Sequence, residues 1–334
     1  MYVDKTRQIA LNEIVKDVFG NDARIIKIKR LGGIGNENYK VDVLTKRGTI
    51  TLSLKIFLGS LHEARRKATK EEYFIRRLSE VGLNVPNILY YDPEGRRLGR
   101  PILIKRWISG IPVNKALEKD YDNKDVIVDV YARELATLHR VVPKPSDFMV
   151  IKEIRTPAEY IVRQFKIIEI LSKIVKFDMS KVINALRKDM PCSGDITFLH
   201  GDYAPENVLV NTSYDTIYFI DLESIELGVN EDDVAYAFHM LRFIESINKR
   251  LKGVAEDFIE SYEKHYGKTL KNLEYFKVLS AAKLYVVLKY LMKTGRLIRE
   301  RKTWLLIYPF LYMFFFRRVM KYLKEYITNI NFTM

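Results

Sequence analysis

Apolar positions recur along this chain with two different periods. Between residues 24 and 57 they alternate with polar ones: RIIKIKRL over 24–31, Tyr39 to Leu44, and TITLSLKIF over 49–57. A period of two predicts half-buried strands. The glycine-rich LGGIGNENYKV and the Lys46-Arg47-Gly48 turn between them predict an antiparallel meander. Helical spacing precedes this set over 2–19 and follows it over 61–81, where Gly82 and Pro86 end the helix. Two more strands are expected at 87–91 and 101–107, joined by DPEGRR. Beyond Gly110-Ile111-Pro112 the helical period takes over, at about 123–141, 156–175, 179–189, 233–250, 253–266, 271–294 and 301–328. One β island interrupts it at 197–200, 207–211 and 216–221. The pattern predicts an α+β fold. A small sheet-rich lobe spans 1–107, a helical lobe spans 108–334, and the strand from Ile102 to Ile108 is the hinge.

Composition narrows the class. With 48% apolar and 29% charged residues the chain is globular rather than disordered. The single cysteine, Cys192, excludes an intramolecular disulfide and a cysteine metal site, and it fits a reducing cytoplasm. The N-terminal segment lacks the apolar core of a signal peptide, which also points to a cytoplasmic protein. The longest apolar run, Trp304 to Phe316, contains Pro309 and falls short of the roughly 20 residues a spanning helix needs. A net charge of +14 attracts anions without naming one. No zinc pattern and no interleaved basic and aromatic motif is present, so nucleic acid is not expected as a partner.

The strongest chemical signal is His200-Gly201-Asp202-Tyr203-Ala204-Pro205-Glu206-Asn207, an Asp and an Asn separated by four residues. A strand, a turn, a strand and then Asp221 follow. Phosphoryl transfer needs a carboxylate to orient or deprotonate the attacking hydroxyl, and oxygen ligands for the magnesium ions that neutralise a triphosphate. The protein-kinase catalytic loop sets its Asp and Asn at this spacing, with a metal-binding Asp after a short hairpin. Asp202 is therefore the expected base, and Asn207 and Asp221 the expected magnesium ligands. Taken singly, each reads better as an Asp at a turn or an Asn capping a strand. The ordered set is what carries the reading.

These motifs resemble those of the aminoglycoside phosphotransferase and choline kinase superfamily, whose fold is two-lobed and protein-kinase-like. HGDYAPENVLV matches its catalytic loop, and Ile220-Asp221-Leu222-Glu223 its metal segment, with Leu222 where an aromatic is common. GVNEDDVA over 228–235 matches its Gly-x-x-x-x-Asp segment with Asp233 as the Asp, and Leu138-His139 its Leu-His pair. The resemblance covers about residues 30–240. It implies a small-molecule kinase using ATP, with GTP as the alternative, and Mg2+, acting on a small-molecule hydroxyl acceptor. It places ATP phosphates against Gly32, Gly33 and Gly35, where glycine allows close backbone approach, with Asn36 and Asn38 adding amide donors. Lys55, on the opposite strand face from Leu52, Leu54 and Ile56, would contact the phosphates and pair with a glutamate of the first helix. Glu71 is chosen because it shares a helical face with Ile75 and Leu78; Glu72 is the alternative. The hinge backbone near Lys105 to Trp107 would bond the adenine. Lys105 and Arg106 stand where an acidic residue is common. His200 and His139 are expected as packing residues, Asp233 as an acceptor of loop backbone hydrogen bonds, and Glu223 as a metal, substrate or capping residue.

Other readings stand beside this one. A nucleotide-binding pseudokinase or regulatory module would share the fold, but the base and metal positions are intact. A protein kinase would need an Ala-Pro-Glu segment and an activation loop, and only 11 residues separate Asp221 from Asp233. The stretch over 304–325 reads as a final helix buried in the large lobe, in preference to a membrane-peripheral patch with Arg317, Arg318, Lys321 and Lys324 toward acidic lipid. Glu226, Glu231 and Asp232 are the acidic candidates for holding a cationic acceptor, whereas the basic chain argues for a neutral or anionic one.

Overall fold

In the computed structural model, which describes residues 5–31, 35–295, 317, 320–323, 325 and 328, the alternating segments form strands and the helical ones helices. The chain divides into two compact units, Met1–Ser109 with Tyr218–Glu223, and Gly110–Ile217 with Ser224–Met334. A contiguous break after residue 107 was expected; instead the short segment holding Asp221 and Glu223 groups with the first unit.

The first unit holds α1 (Lys5–Phe19), β1 (Arg24–Arg30), β2 (Asn36–Thr45), β3 (Gly48–Phe57), α2 (Leu61–Glu80), β4 (Ile88–Asp92) and β5 (Ile102–Arg106). The strands form one antiparallel sheet in the order β1-β2-β3-β5-β4. Alternation sorts its two faces. Leu52, Leu54, Ile56, Ile102 and Ile104 join Leu11, Ile14 and Val15 of α1 in one apolar cluster. Lys55 and Lys105 point to the other face, because Lys55 stands opposite Leu103 and Ser53 opposite Lys105. Strand β2 starts earlier than its apolar pattern suggests, at Asn36, because the ladder continues to Asn36 opposite Phe57. Edge strand β1 carries Arg24, Lys27, Lys29 and Arg30, charges that discourage edge-to-edge pairing. Helix α2 begins at a capping box, in which the Ser60 hydroxyl accepts from Glu63 N at 3.3 Å and Glu63 accepts from Ser60 N.

The second unit holds β6 (Ile111–Pro112), α3 (Val113–Lys119), α4 (Lys124–His139), α5 (Pro157–Val175), α6 (Ser180–Lys188), β7 (Ile196–Leu199) and β8 (Val208–Val210). The chain then crosses to the first unit within β9 (Ile217–Phe219). It returns before β10 (Glu226–Val229), α7 (Asn230–Ile247), α8 (Val254–Tyr266) and α9 (Leu273–Lys293). Strands β6 and β10 and helix α3 were not predicted. The two strands exist through non-local ladders, β6 on β8 and β10 on β7, which no local pattern announces. Much of the expected helix over 301–328 and the apolar run over 304–316 lie outside the described residues. Among the described residues no helix is long and apolar enough to cross a membrane.

Gly228 shows how tightly α5 packs on β10. A Cβ there would stand 2.3 Å from Tyr160 Cε2 and 2.6 Å from Leu199 Cδ1, both on buried side chains. Gly228→Ala is therefore expected to lower the unfolding free energy by about 1–3 kcal/mol. A urea titration beside Gly35→Ala, where no atom of the described residues lies within 4 Å of the new Cβ, checks it, and equal midpoints for the two variants would refute it.

Candidate active site

In the first unit the candidate residues converge on one lysine. Lys55 is 2% exposed and Glu71 is fully buried. Lys55 Nζ lies 2.7 Å from Glu71 Oε2 and 3.1 Å from Glu223 Oε2, and it also pairs with Asp221. Burial alone would lower the Lys55 pKa, but Asp221, Glu71 and Glu223 more than offset this and raise it well above the ordinary lysine value. The helix face decides between the two glutamates. Glu71 faces inward with Ile75 and Leu78, whereas Glu72 forms an i,i+4 pair with Arg76. Asp221 reaches Lys55 from a left-handed backbone conformation, φ 61°, that Asp tolerates better than most residues.

Three residues expected near the nucleotide, Lys105, Asn36 and Trp107, turn out to have internal partners. The Lys105 ammonium donates to Glu71 Oε1 at 2.6 Å, so Glu71 holds one lysine on each oxygen. For Glu71, burial would raise the pKa, but Lys105 and Lys55 outweigh it and hold the carboxyl below its usual value. The Asn36 amide donates to Glu223 Oε2 at 2.6 Å and its Oδ1 accepts from Leu58 N at 3.1 Å. Asn36 is thus a buried strut of the cluster, not an open amide at the glycine-rich turn. The Trp107 backbone N–H is bonded to Thr51 O at 3.1 Å, and its ring carries the Lys40 ammonium at 4.7 Å. Gly32 and Gly33 lie outside the described residues; Gly35 is exposed, and no other described residue comes within 4 Å of where its Cβ would stand.

The acidic oxygens of Glu71, Asp221 and Glu223 lie within 4.8 Å of one another. Three carboxylates against the two ammonium groups leave one net negative charge. Hard carboxylate oxygens with a negative balance fit a magnesium ion.

In the second unit the candidate base sits in a loop tied down by α7. Asp233, 2% exposed, accepts from His200 N at 2.6 Å with Oδ2 and from Gly201 N at 3.0 Å with Oδ1. Gly201 has φ 75°, and a Cβ there would meet Ser224 O at 2.4 Å, so no other residue fits. His200 is fully buried against the Tyr203 ring. The Asn207 amide donates to Asp202 Oδ2 at 2.7 Å and to Asp202 O at 3.1 Å. That orientation turns the Asn207 carbonyl oxygen, the atom a cation would want, away from Asp202.

Several residues that hold this loop were missed in the sequence. Tyr236 donates its hydroxyl to Asp202 Oδ1 at 2.5 Å. Tyr131 and Tyr203 stack at 4.5 Å and exchange bonds, each hydroxyl donating to the other's backbone carbonyl. His139 joins the Asp233 anchor to α8. Asn230 Nδ2 donates to Tyr262 Oη at 3.1 Å, and Tyr262 Oη lies 2.6 Å from His139 Nδ1. Because the Asp233 carboxylate only accepts, the imidazole proton is assigned to Nε2, which faces Asp233 Oδ2 at 3.4 Å, and Nδ1 accepts from Tyr262. Only Tyr236 carried a sequence signal: it stands three residues after Asp233, on the same helical face.

A family model described as "Phosphotransferase enzyme family" matches residues 27–273. The chain belongs to that family. Solved structures of the same fold include an aminoglycoside phosphotransferase described as putative, from Ralstonia eutropha (TM-score 0.64, 17% identity, 86% of this chain and 89% of that one). Another is the choline kinase LicA of Streptococcus pneumoniae (TM-score 0.60, 19% identity, 94% and 99%). A third is an ethanolamine kinase of Plasmodium vivax (TM-score 0.57, 16% identity, 80% and 77%). No curated protein sequence matches the chain.

In this member of the phosphotransferase family the three acidic candidates for gripping a cationic acceptor have internal partners. Asp232 accepts from Tyr160 and from Lys283 Nζ, the latter at 2.7 Å. Glu226 pairs with Arg163 at 2.8 Å, and Glu231 accepts from Asn272 N at 2.7 Å.

The Lys55–Glu71–Lys105 cluster yields a stability prediction. Glu71→Ala strands the buried Lys105 ammonium and leaves Lys55 to Asp221 and Glu223 alone; it is expected to lower the unfolding free energy by about 3–5 kcal/mol. Lys105→Met leaves Glu71 paired with Lys55 and is expected to lower it by about half of that or less. Denaturant unfolding of both variants checks this, and equal losses would contradict it.

Proposed function

We propose that this protein is a small-molecule kinase that moves the γ-phosphate of ATP to a hydroxyl of its acceptor, with Asp202 as the base. The observation that carries the reading is the Asp202 carboxylate, held in place by the Asn207 amide and by a loop whose backbone is anchored on Asp233. A carboxylate fixed in this way orients an attacking hydroxyl and takes its proton as the new P–O bond forms. Lys55 is the phosphate contact on this reading, and Glu71 sets its position. Asp221, Glu223 and Asn207 supply oxygens suited to Mg2+, which when bound would neutralise charge on the phosphates. GTP is the alternative donor. A nucleotide-binding module without turnover is the reading that competes, and the intact Asp202, Asn207 and Asp221 weigh against it.

The acceptor we propose is a neutral or anionic hydroxyl compound. Choline and ethanolamine, named for two of the similar structures, are cations. In this chain Asp232, Glu226 and Glu231 are engaged by Lys283, Arg163 and Asn272, and the net charge of +14 disfavours a cationic ligand. A cytoplasmic site of action belongs to the same proposal, in keeping with the free, exposed Cys192.

Magnesium-dependent ADP release over a panel of neutral, anionic and cationic alcohols tests both statements. Turnover is expected with a neutral or anionic acceptor and is expected to drop by at least about 10³-fold in Asp202→Asn, with Mg-ATP binding retained. Turnover that survives the substitution would remove Asp202 from the role of base. Turnover confined to amines and quaternary ammonium alcohols would overturn the acceptor class.

A further inference from the structure

The hydrogen bond from Tyr236 to Asp202 is of a kind the reaction itself requires. An acceptor alcohol must present its O–H to an Asp202 oxygen at about 2.6–3.2 Å before it attacks phosphorus. In this structure a phenol O–H stands at 2.5 Å from Asp202 Oδ1, while the Asn207 amide occupies Oδ2. The same helix sets both ends of the arrangement. Asp233, at the start of α7, fixes the loop backbone, and Tyr236, one turn on, reaches the carboxylate. Tyr236 is only partly buried, among buried neighbours of α7. Burial first, and the Asp202 charge second, push the Tyr236 phenol well above its usual pKa. It therefore stays protonated and acts as a donor, not as a competing base.

We propose that Tyr236 occupies the place on Asp202 that the acceptor hydroxyl takes, so that it bars water from the base until the acceptor displaces it. The inference rests on the phosphotransferase reading given above. Its chemistry is that of the side reaction it suppresses. Water that reached Asp202 would attack the γ-phosphorus, the bond from γ-phosphorus to the bridging oxygen would break, and ADP would leave with the electron pair. The water proton would pass to Asp202, giving ADP and inorganic phosphate. A kinase without such a guard wastes ATP whenever its acceptor is absent, and a closing lid or an internal hydroxyl are two ways to exclude water. Tyr236 thus serves as a positioning and gating residue whose hydroxyl stands in for the substrate's own.

The test needs no knowledge of the acceptor. Full-length wild type and Tyr236→Phe are compared for Mg-ATP binding by calorimetry and for acceptor-free release of inorganic phosphate. Phe keeps the ring and removes only the hydroxyl, and water fills the vacated place on Asp202. The expected result is unchanged Mg-ATP affinity with acceptor-free hydrolysis raised about tenfold or more, the scale of one hydrogen bond to a charged group. The double variant Asp202→Asn/Tyr236→Phe should return hydrolysis to background, because the gain passes through Asp202. A merely structural tyrosine would lower activity or leave it unchanged. Hydrolysis that is unchanged or reduced in Tyr236→Phe, with Mg-ATP still bound, overturns the gate alone. A gain that persists in the double variant overturns it as well. Failure of the wild type to bind Mg-ATP sinks the phosphotransferase reading and the gate together.

Discussion

A buried carboxylate with no bulk water around it must have donors, and Asp233 takes them from the loop that carries the candidate base. Its two oxygens accept from His200 N and Gly201 N, and His139 Nε2 approaches from α4. Unpairing such a group is among the more expensive changes a core can suffer. Much else in the second unit follows from this constraint. Gly201 is obligatory because the chain must turn against Ser224 to present both amides. Tyr203 is clamped to α4 by reciprocal bonds with Tyr131, and His139 Nδ1 is bonded to Tyr262. Helices α4, α7 and α8 thus converge on one loop, and the position of Asp202 is a property of the whole helical packing.

The first unit solves a different electrostatic problem. Lys55 and Glu71 are both buried, and neither would remain charged alone at neutral pH. The sheet supplies a second cation, Lys105, because its register puts Ser53 opposite Lys105, one inward position along from Lys55. With Glu71 gripped on both oxygens, Lys55 can also meet Asp221 and Glu223. Asn36 closes the set by donating to Glu223. The Lys55–Glu71–Lys105 part of the cluster is therefore preorganised by strand register and by the capped start of α2.

Membership of the phosphotransferase family fixes the class of this protein more firmly than its specificity. The similar solved structures share the fold at 16–19% identity, and a shared fold does not carry the acceptor with it. The internal pairing of Asp232, Glu226 and Glu231 illustrates this. Residues that could have gripped a cation are built into the scaffold instead.

The sequence by itself determined the elements and the order of the chemical residues. The switch from period two to helical spacing marked out sheet and helices, and Asp202, Asn207 and Asp221 were legible because their spacing along the chain is itself the signal. Lys55 was legible as the odd residue of an apolar strand, and Glu71 as the glutamate on the apolar face of its helix. Beyond the pairing of Lys55 with Glu71 and of Asp233 with the loop backbone, only the tertiary structure decided the partners. Periodicity tells which way a side chain points, but not what stands opposite when that residue is 34 positions away, as for Lys105 and Glu71, or 187 away, as for Asn36 and Glu223. The same holds for Tyr236 on Asp202 and for Tyr262 on His139. Short strands such as β6 and β10 were invisible for a related reason: their hydrogen bonds come from distant chain, so their own residues carry no pattern.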